Sequence, residues 1–437
     1  PGNFDENDRG VPRNQEFLDK NALFGVFRVK RDFGKENHIG FFATYRGYPE
    51  EKNLLASVDS RIKINANTTA QLQIVGTSSR RCFFDNTFEP VVDPAQAQRN
   101  REICGTGRFV DPQNPSATIG TFDRFRTGNA VGYYANIDQF TDTKGWFAEI
   151  GGRTKDFRAD VGFTRRTDTN FAFLFHRNST KSQPKAAIIR ANWNKFTGLD
   201  YDWKGRIQKW RAGSNVGLSL QRSMFVFFEG GVSYEKLYEE EFGLKRMPTR
   251  PGRFFGDGVR TAWQQFVYSE LNQKLNKQIS YFVSGSYSNN AFDFFFPVGN
   301  GQINPGAGKQ FNGRAQIDWK PVDALTTSIS YQKSRLVRND NRVRSFDSDL
   351  VSVRSTYSFT RFIFTRMRLD YDSNRRSYAG QLLFAWTPSP GTAFYAGYND
   401  SFNYNGVNPF TGNLEPGFAR NSRTFFIRAS YLFRKSF

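Results

Sequence analysis

The sequence has few of the residues that build catalytic and metal sites. Its 437 residues include two histidines, His38 and His176, and two cysteines, Cys82 and Cys104. A zinc site with His and Cys ligands needs several such residues together, and a nucleophile needs a base within hydrogen-bond reach. We therefore expect no enzyme activity, no catalytic residue, no metal site and no cofactor.

Long apolar runs are also missing. No run approaches the roughly 18 apolar residues of a membrane-spanning helix, which excludes a helical membrane protein. Hydrophobic residues make up 38% of the chain, below the globular average of about 45–50%. Aromatic residues nevertheless reach 16%, with 47 Phe and 18 Tyr. Low hydropathy with many aromatic rings is typical of a transmembrane β-barrel, whose strands have one polar face and whose girdles are aromatic.

Acidic residues are outnumbered by basic ones. Lys and Arg number 61 against 41 Asp and Glu, a formal net charge of +20. One interpretation is solvated loops and a polar lumen, and the other is attraction for anions such as lipid phosphates or acidic solutes. The basic residues are spread along the chain rather than gathered in a compact patch, so we expect no nucleic-acid partner.

Apolar and polar residues alternate from end to end. In "NLLASVDSRIKIN" (53–65), Leu54 and Val58 fall on one face, and Asp59 and Arg61 on the other. A period of two indicates a β-strand with one apolar and one polar face. The alternating segments are about 9 to 13 residues long, which suits a tilted membrane strand of about 9–11 residues better than a soluble sandwich.

The predicted fold class is all-β, a single antiparallel transmembrane β-barrel of the bacterial outer membrane. We expect about 20 strands, with a range of roughly 18–24, and an open or plugged lumen, because side chains fill only small barrels. The barrel is placed over residues 21–437. Residues 1–20 form an N-terminal segment that we expect to continue from missing upstream residues.

The alternation predicts a lumen rich in charge. Each histidine is interpreted as a girdle or lumen residue. One interpretation of the basic side chains is that they pair with carboxylates such as Asp59, Asp318 and Asp370, and the other is an anion-favouring passage. The basic residues expected to face the lumen are Arg28, Lys30, Arg61, Lys63, Arg314, Arg366, Arg368 and Arg428.

The connections between strands are of two kinds. Short turns fall at 65–68, 320–324 and 387–391, and long loops at 80–128, 237–259, 289–309 and 402–421. In an outer-membrane barrel the turns are periplasmic and the long loops extracellular. The count of strands between about 80 and 260 is ambiguous by one. The two ambiguous stretches are 155–168, which is either a link or a strand, and 198–236.

Several loop features have more than one interpretation. Cys82 and Cys104 lie in one long polar stretch, where a disulfide suits an oxidising envelope compartment and two free thiols are the alternative. The acidic runs "YEEEF" (238–242) and "RNDNR" (338–342) are either solvated loop charge or cation ligands. "GNGQINPGAGK" (299–309) lacks phosphate-loop spacing and indicates an extracellular loop.

Two aromatic stretches complete the pattern. "NAFDFFFP" (290–297) indicates an outer aromatic girdle, a contact patch for a partner, or a soluble core. The closing "RASYLFRKSF" (428–437) alternates like a strand and resembles the aromatic C-terminal signature of outer-membrane barrels, which the assembly machinery reads. The residues of this signature are Tyr431, Phe433 and Phe437.

Five segments together resemble an uncharacterised outer-membrane barrel domain that follows a module like the family-9 carbohydrate-binding modules. The matching features are Gly25 to Arg28, the strand from Gly40 to Arg46, Asn53 with Asp59, "DFRADVGFTRRTD" (156–168) and "FIRASYLFR" (426–434). The resemblance implies an outer-membrane barrel without an established activity. It also implies that Phe433 ends the last strand. The carbohydrate-binding-like module is absent from this sequence, and we expect the first barrel strands to be absent too.

The predicted function is an outer-membrane channel or transport barrel, porin-like, in a Gram-negative cell envelope, or a surface anchor for a carbohydrate-binding-like module. The alternative is a structural or scaffold subunit of a larger envelope complex, with no conductance of its own. The expected partners are outer-membrane lipid, lipopolysaccharide, the barrel-assembly machinery and other envelope proteins.

Overall fold

The fold is described from a computed structural model. It describes residues 21–48, 51–82, 108–111, 114–121, 125–162, 166–242, 246, 248, 251–294, 296–298, 302–389, 391–404 and 416–431. In these ranges we find no helix with the length and apolar character to cross a membrane.

Strands account for most of the described residues. A 3-10 turn, Glu239–Glu241, lies between two of them. The strands are β1 (Leu23–Phe33), β2 (Asn37–Tyr48), β3 (Glu51–Asn65), β4 (Thr68–Cys82), β5 (Arg108–Asp111), β6 (Asn114–Thr121), β7 (Phe125–Phe140), β8 (Lys144–Arg153), β9 (Thr169–Ser179), β10 (Ile188–Tyr201), β11 (Ile207–Leu220), β12 (Met224–Tyr238), β13 (Val259–Lys274), β14 (Ile279–Asp293), β15 (Pro297–Val298), β16 (Gln302–Ile303), β17 (Gly306–Val322), β18 (Leu325–Arg338), β19 (Arg344–Ser358), β20 (Ile363–Asp372), β21 (Ser377–Ser389), β22 (Thr392–Tyr404) and β23 (Phe418–Ser430).

Nineteen of these strands form one continuous antiparallel sheet. Within this sheet, each strand pairs with the sheet strands that precede and follow it along the chain. The pairs β4–β7 and β14–β17 skip two separate two-stranded hairpins, β5–β6 and β15–β16. The sheet strands are 10 to 17 residues long, enough to cross a membrane at a tilt. The predicted antiparallel all-β fold and its strand number are confirmed. Among the described residues, no ladder joins β1 to β23.

The two faces of the sheet differ in chemistry. On one face, apolar side chains remain exposed, such as Leu54 (48%), Val58 (50%) and Leu174 (49%). The register continues this apolar face from strand to strand. For example, Val283 of β14 pairs with Ala315 of β17, and Ile317, two residues further along β17, pairs with Ile329 of β18. Such a continuous apolar surface is costly in water and suits contact with lipid.

The two ends of the sheet differ in their connections. One end, which we call the turn end, carries short connections such as 66–67, 323–324 and 390–391. The other, which we call the loop end, carries 49–50, 83–124, 154–168, 202–206, 239–258, 294–305, 339–343, 373–376 and 405–417. In its described residues, 154–168 is a link between β8 and β9. The connection 202–206 joins β10 directly to β11. Together these two connections remove the ambiguity in the strand count between 80 and 260.

Candidate functional site

The face opposite the exposed apolar side chains, which we call the polar face, carries most of the charge. Cross-strand partners connect it from Asp59 through Gln73 and Tyr134, and onward through β8 to β12 as far as Ala262 of β13. The register places on this face all the basic residues that the alternation singled out, namely Arg28, Lys30, Arg61, Lys63, Arg314, Arg366, Arg368 and Arg428. Their position in a lumen stays a prediction.

One group of charges on β1, β2 and β3 is self-contained. The Arg28 guanidinium contacts both carboxylate oxygens of Asp59, with Nη2 donating to Oδ2 at 2.9 Å. His38 Nε2 lies 3.5 Å from the same Oδ2. Gly40 lies beneath the pair, where a Cβ would be 2.6 Å from Arg28 Nη2. Gly40 therefore leaves the space in which this bidentate ion pair forms.

The other predicted lumen residues are paired to different degrees. Lys30 Nζ is 2.9 Å from Asp32, Lys63 contacts Glu36, and Arg368 Nε is 2.6 Å from Asp370 Oδ2. Arg314 instead donates to Gln316 Oε1 at 2.8 Å.

Residues 154–162, which we call the strap, fold back onto the polar face. Asn53 Nδ2 donates to the carbonyl of Arg158 at 3.1 Å, and the amide of Asp160 donates to Asn53 Oδ1 at 3.2 Å. Arg46 Nη1 lies 2.9 Å from Asp160 Oδ2. The side chain of Asn53 is almost fully buried. One asparagine thus satisfies two backbone groups of the strap, which holds the strap against β3.

The aromatic ring of the strap is accommodated by glycine. Phe157 is 9% exposed. A Cβ at Gly132 of β7 would lie 2.8 Å from its ring, and a Cβ at Gly128 would lie 2.8 Å from Asp156. Larger residues at these two positions would push the strap away. The strap therefore covers part of the polar face between β2 and β7.

An aromatic stripe follows on the polar face of β8, β9 and β10. The ring of Phe147 lies 5.1 Å from Phe175 and 5.6 Å from Phe173, and Phe173 stacks at 6.3 Å on Phe196. Arg211 covers Phe173 at 5.0 Å. This stripe was not predicted from the sequence, although "FAFLFHRNS" (171–179) carries its signal as Phe residues at alternate positions, 171, 173 and 175.

A small apolar cluster packs among the long connections at the loop end. Phe254, Leu237, Phe292 and Ile303 are each at most 7% exposed and form its centre. Phe294 stacks at 6.0 Å on Phe242 beside it. The girdle interpretation of "NAFDFFFP" is wrong for Phe292 and Phe294, because both rings pack against protein.

Arg338 anchors the connections around this cluster. It is 1% exposed and pairs with Asp293 at 3.3 Å and Asp340 at 2.6 Å. Its Nη1 also donates to the carbonyl of Asn304 at 2.8 Å, and its guanidinium covers Phe296 at 4.5 Å. The hydrogen bond from Arg338 lowers the pKa of Asp340 below its usual value. "RNDNR" is therefore not simply solvated loop charge.

The acidic run at 238–242 is also engaged with protein. Glu239 is 9% exposed and lies 3.0 Å from Arg246, while Glu240 contacts Arg206 and Glu241 contacts Arg166. Burial raises the pKa of Glu241, although Arg166 opposes this. The solvated-charge interpretation is wrong here, because each carboxylate pairs with a cation. In the described part of the chain, no three His, Cys, Asp or Glu side chains are grouped so as to hold a metal ion.

The middle of the polar face between β17 and β21 has an open recess of about 330 Å³, which we call the recess. A row of direct cross-strand partners crosses it, from Gln316 through Ser330, Ser352 and Asp370 to Ala379. Arg314 lies on one side of this row. On the other side Arg354 and Arg368 face each other directly across β19 and β20.

The two histidines lie on separate strands and opposite faces. His38 is on β2 beside Asp59, whereas His176 is exposed on β9 and shares its face with Leu174. Four sheet strands, β3, β4, β7 and β8, lie between them.

Other predicted features fall partly outside the described residues. Cys82 ends β4, and Cys104 lies outside the described residues, as do 1–20, Phe433 and Phe437. Tyr431 is exposed at the turn end, just after β23. The disulfide and the C-terminal signature stay predictions.

Comparison with known proteins identifies the fold. No protein-family model and no curated protein matches the chain. Among solved structures, the copper transporter OprC superposes with a TM-score of 0.58 at 11% identity, over 94% of this chain and 71% of OprC. The siderophore receptor PirA from Acinetobacter baumannii gives 0.53 at 10% identity, over 97% and 73% of the two chains. At such identities the similarity shows the fold alone, which is that of outer-membrane receptor barrels.

Proposed function

We propose that the chain forms the wall of an outer-membrane transport barrel that passes a solute along its polar face. The observation that carries this proposal is the division of one 19-stranded antiparallel sheet into an exposed apolar face and a charged face. That division suits lipid on one side and water on the other. The match to a copper transporter and a siderophore receptor supports transport as the general role.

The proposed orientation puts the turn end in the periplasm and the loop end outside the cell. Short periplasmic turns and longer extracellular loops are the rule in such barrels. In this arrangement the apolar face contacts membrane lipid, and the loop end meets lipopolysaccharide. Assembly would use the barrel-assembly machinery.

Membrane fractionation followed by planar-bilayer recording tests the proposal. We expect the protein in the outer-membrane fraction, with heat-modifiable gel mobility and with discrete conductance steps after purification. Recovery in the soluble fraction would contradict the membrane location. Complete absence of conductance at any voltage, from folded protein, would contradict transport through an open lumen.

A scaffold or surface anchor is the second candidate, favoured by the strap and the loop-end apolar cluster, which both fill space above the sheet. A non-conducting scaffold would have the same membrane location and no solute flux. The family resemblance adds an anchor for a carbohydrate-binding-like module as a specific form of this role. Loss of cell-surface polysaccharide binding on deletion of the gene, without a change in permeability, would favour the anchor over the transporter.

A further inference from the structure

We propose that the recess between β17 and β21 binds a small solute that carries carboxylate or phosphate groups. This inference deepens the proposed function, because it names a solute class for the polar face, and it rests on that function for its biological setting. The binding itself is a property of the side chains and can be measured without transport.

Small side chains create the space. Ser330 and Ser352 are neighbours in the row that crosses the recess, and Ala379 ends that row. Longer side chains, such as Arg314 and Arg354, border these small residues. The small residues therefore form the floor of the recess, and the longer ones form its rim. The volume of about 330 Å³ is at the lower end of the range of about 300–1,000 Å³ for small-molecule sites. It therefore suits a small solute rather than a polymer.

The charges in the recess are incompletely paired. Arg354 and Arg368 are direct cross-strand partners, and like charges placed in this way repel. Arg368 is compensated by Asp370, with Nε and Oδ2 2.6 Å apart. Among the described residues, the Arg354 guanidinium has no ion pair, side-chain hydrogen bond or ring contact. An anion between the two guanidinium groups would supply the missing countercharge.

Further donors face the same space. Arg314 borders the recess from β17, and within the described ranges its side chain contacts only the neutral Gln316 and the ring of Phe282. Ser352 Oγ is buried and has no hydrogen-bond partner in the described part of the chain. Guanidinium groups match the planar, bidentate geometry of carboxylate and phosphate oxygens. Fork-shaped donors and a free hydroxyl thus surround a space with room for a ligand.

Calorimetric titration of the folded full chain in an uncharged glucoside detergent tests this proposal. Citrate and pyrophosphate serve as probes, and they separate a carboxylate from a phosphate ligand. We expect saturable binding of at least one of them, weakened by added salt. Arg354→Gln is expected to weaken binding about tenfold or more, and Arg314→Gln several-fold, because charge-assisted hydrogen bonds are lost.

Arg361→Gln is the matched control. Arg361 lies in the connection between β19 and β20 at the turn end, where its side chain is exposed and its guanidinium covers the ring of Phe362 at 4.4 Å. Its replacement removes the same charge from a nearby position outside the recess, and binding should stay unchanged. Heat-modifiable gel mobility of every variant verifies folding.

Absence of saturable binding of both probes to the unmodified protein would overturn the proposal. So would equal weakening by Arg354→Gln and Arg361→Gln, which would indicate a general effect of net charge. Conductance without binding would leave the transport proposal standing and remove this one. Binding without conductance would support the anion site and contradict transport through an open lumen.

Discussion

Arginine side chains are paired differently in two regions of the polar face. At the loop end, Arg338 and Arg46 pair with carboxylates and contact the connections that fold over the sheet. In the recess, Arg354 faces another arginine and has no countercharge among the described residues. The first arrangement holds protein segments together. The second leaves charge available to something that is not part of the chain.

The difference follows from burial. A buried charge needs a partner, because the cost of removing it from water is otherwise not recovered. Arg338 is 1% exposed and is fully engaged, whereas Arg354 is exposed and water can solvate it. Substitutions at the loop end should therefore reduce stability, while those in the recess should change binding.

The largest effect is expected for Arg338→Leu. This change leaves Asp293, which is 8% exposed, without its buried cation. Loss of one partner of a buried ion pair costs about 3–5 kcal/mol, so urea unfolding in detergent micelles should shift by about that amount. Arg335→Leu is the control. Arg335 lies on the same strand, but its side chain is 43% exposed and its contact with Asp347 is long, at 4.0 Å. Equal shifts for both variants would contradict the contrast.

The strap should open when Asn53 is replaced. Asn53→Ala removes both hydrogen bonds to the strap and leaves their backbone groups without partners. The loss of about 1–3 kcal/mol should raise trypsin cleavage after Arg158 by about tenfold, measured by mass spectrometry. Asn65→Ala, which alters a turn at the other end of the sheet, should leave this cleavage unchanged. Unchanged cleavage in Asn53→Ala would mean that Arg46 or Phe157 alone holds the strap.

Acid should release the connection that Asp340 holds. The folded pKa of Asp340 lies below its usual value, so its stabilisation is complete above the unfolded pKa of about 3.9. It is lost as the pH falls through the lower folded pKa. The Asn339 amide, bonded to the Ala307 carbonyl at 2.9 Å, reports this release. Its hydrogen exchange, corrected for intrinsic rate, should accelerate from pH 5 to about pH 2.5.

Two controls separate this effect from general acid unfolding. The Thr387 amide, bonded to Phe362 at the turn end, should keep its protection over the same pH range. In Asp340→Asn, the acceleration at Asn339 should disappear. Equal protection of Asn339 at both pH values would show that Arg338 holds the connection without Asp340.

The smallest stability effect is expected in the recess. Arg354→Gln removes a repulsion with Arg368 and breaks no ion pair with any residue that the structure describes. Relief of a like-charge cross-strand contact is worth about 0.2–1 kcal/mol at most, so urea unfolding should be unchanged or slightly favour the folded state. Arg46→Gln, which breaks the contact with Asp160, should instead reduce stability. Destabilisation by Arg354→Gln equal to that by Arg46→Gln would erase the distinction between the two regions.

Sequence reasoning was successful where the signal is local. The period of two in segments such as 53–65 assigns each side chain to a face, because neighbouring strands keep this alternation in register. It failed at "NAFDFFFP", where Asn290 has a positive φ of 51° and one extra residue shifts the register of β14. A bulge of this kind interrupts alternation without a distinctive residue pattern.

The remaining features depend on contacts that are distant in sequence. Asn53 meets Arg158 across 105 positions, and Arg338 meets Asp293 across 45. Nothing in the residues around Asn53 indicates a strap. Similarly, Arg354 was not among the predicted basic residues, although it follows the same alternation as Arg368. Its importance emerged only from the direct pairing of β19 with β20.

The floor of the recess has a consequence for how such a protein can diversify. Gln316, Ser330 and Ser352 each come from a different strand, and each lies between two residues of the opposite face. A replacement at one of them changes the shape of the recess without altering the surface that faces lipid. For the solute binding proposed above, preference can therefore be changed at every second position of these strands while the lipid-facing residues between them stay the same.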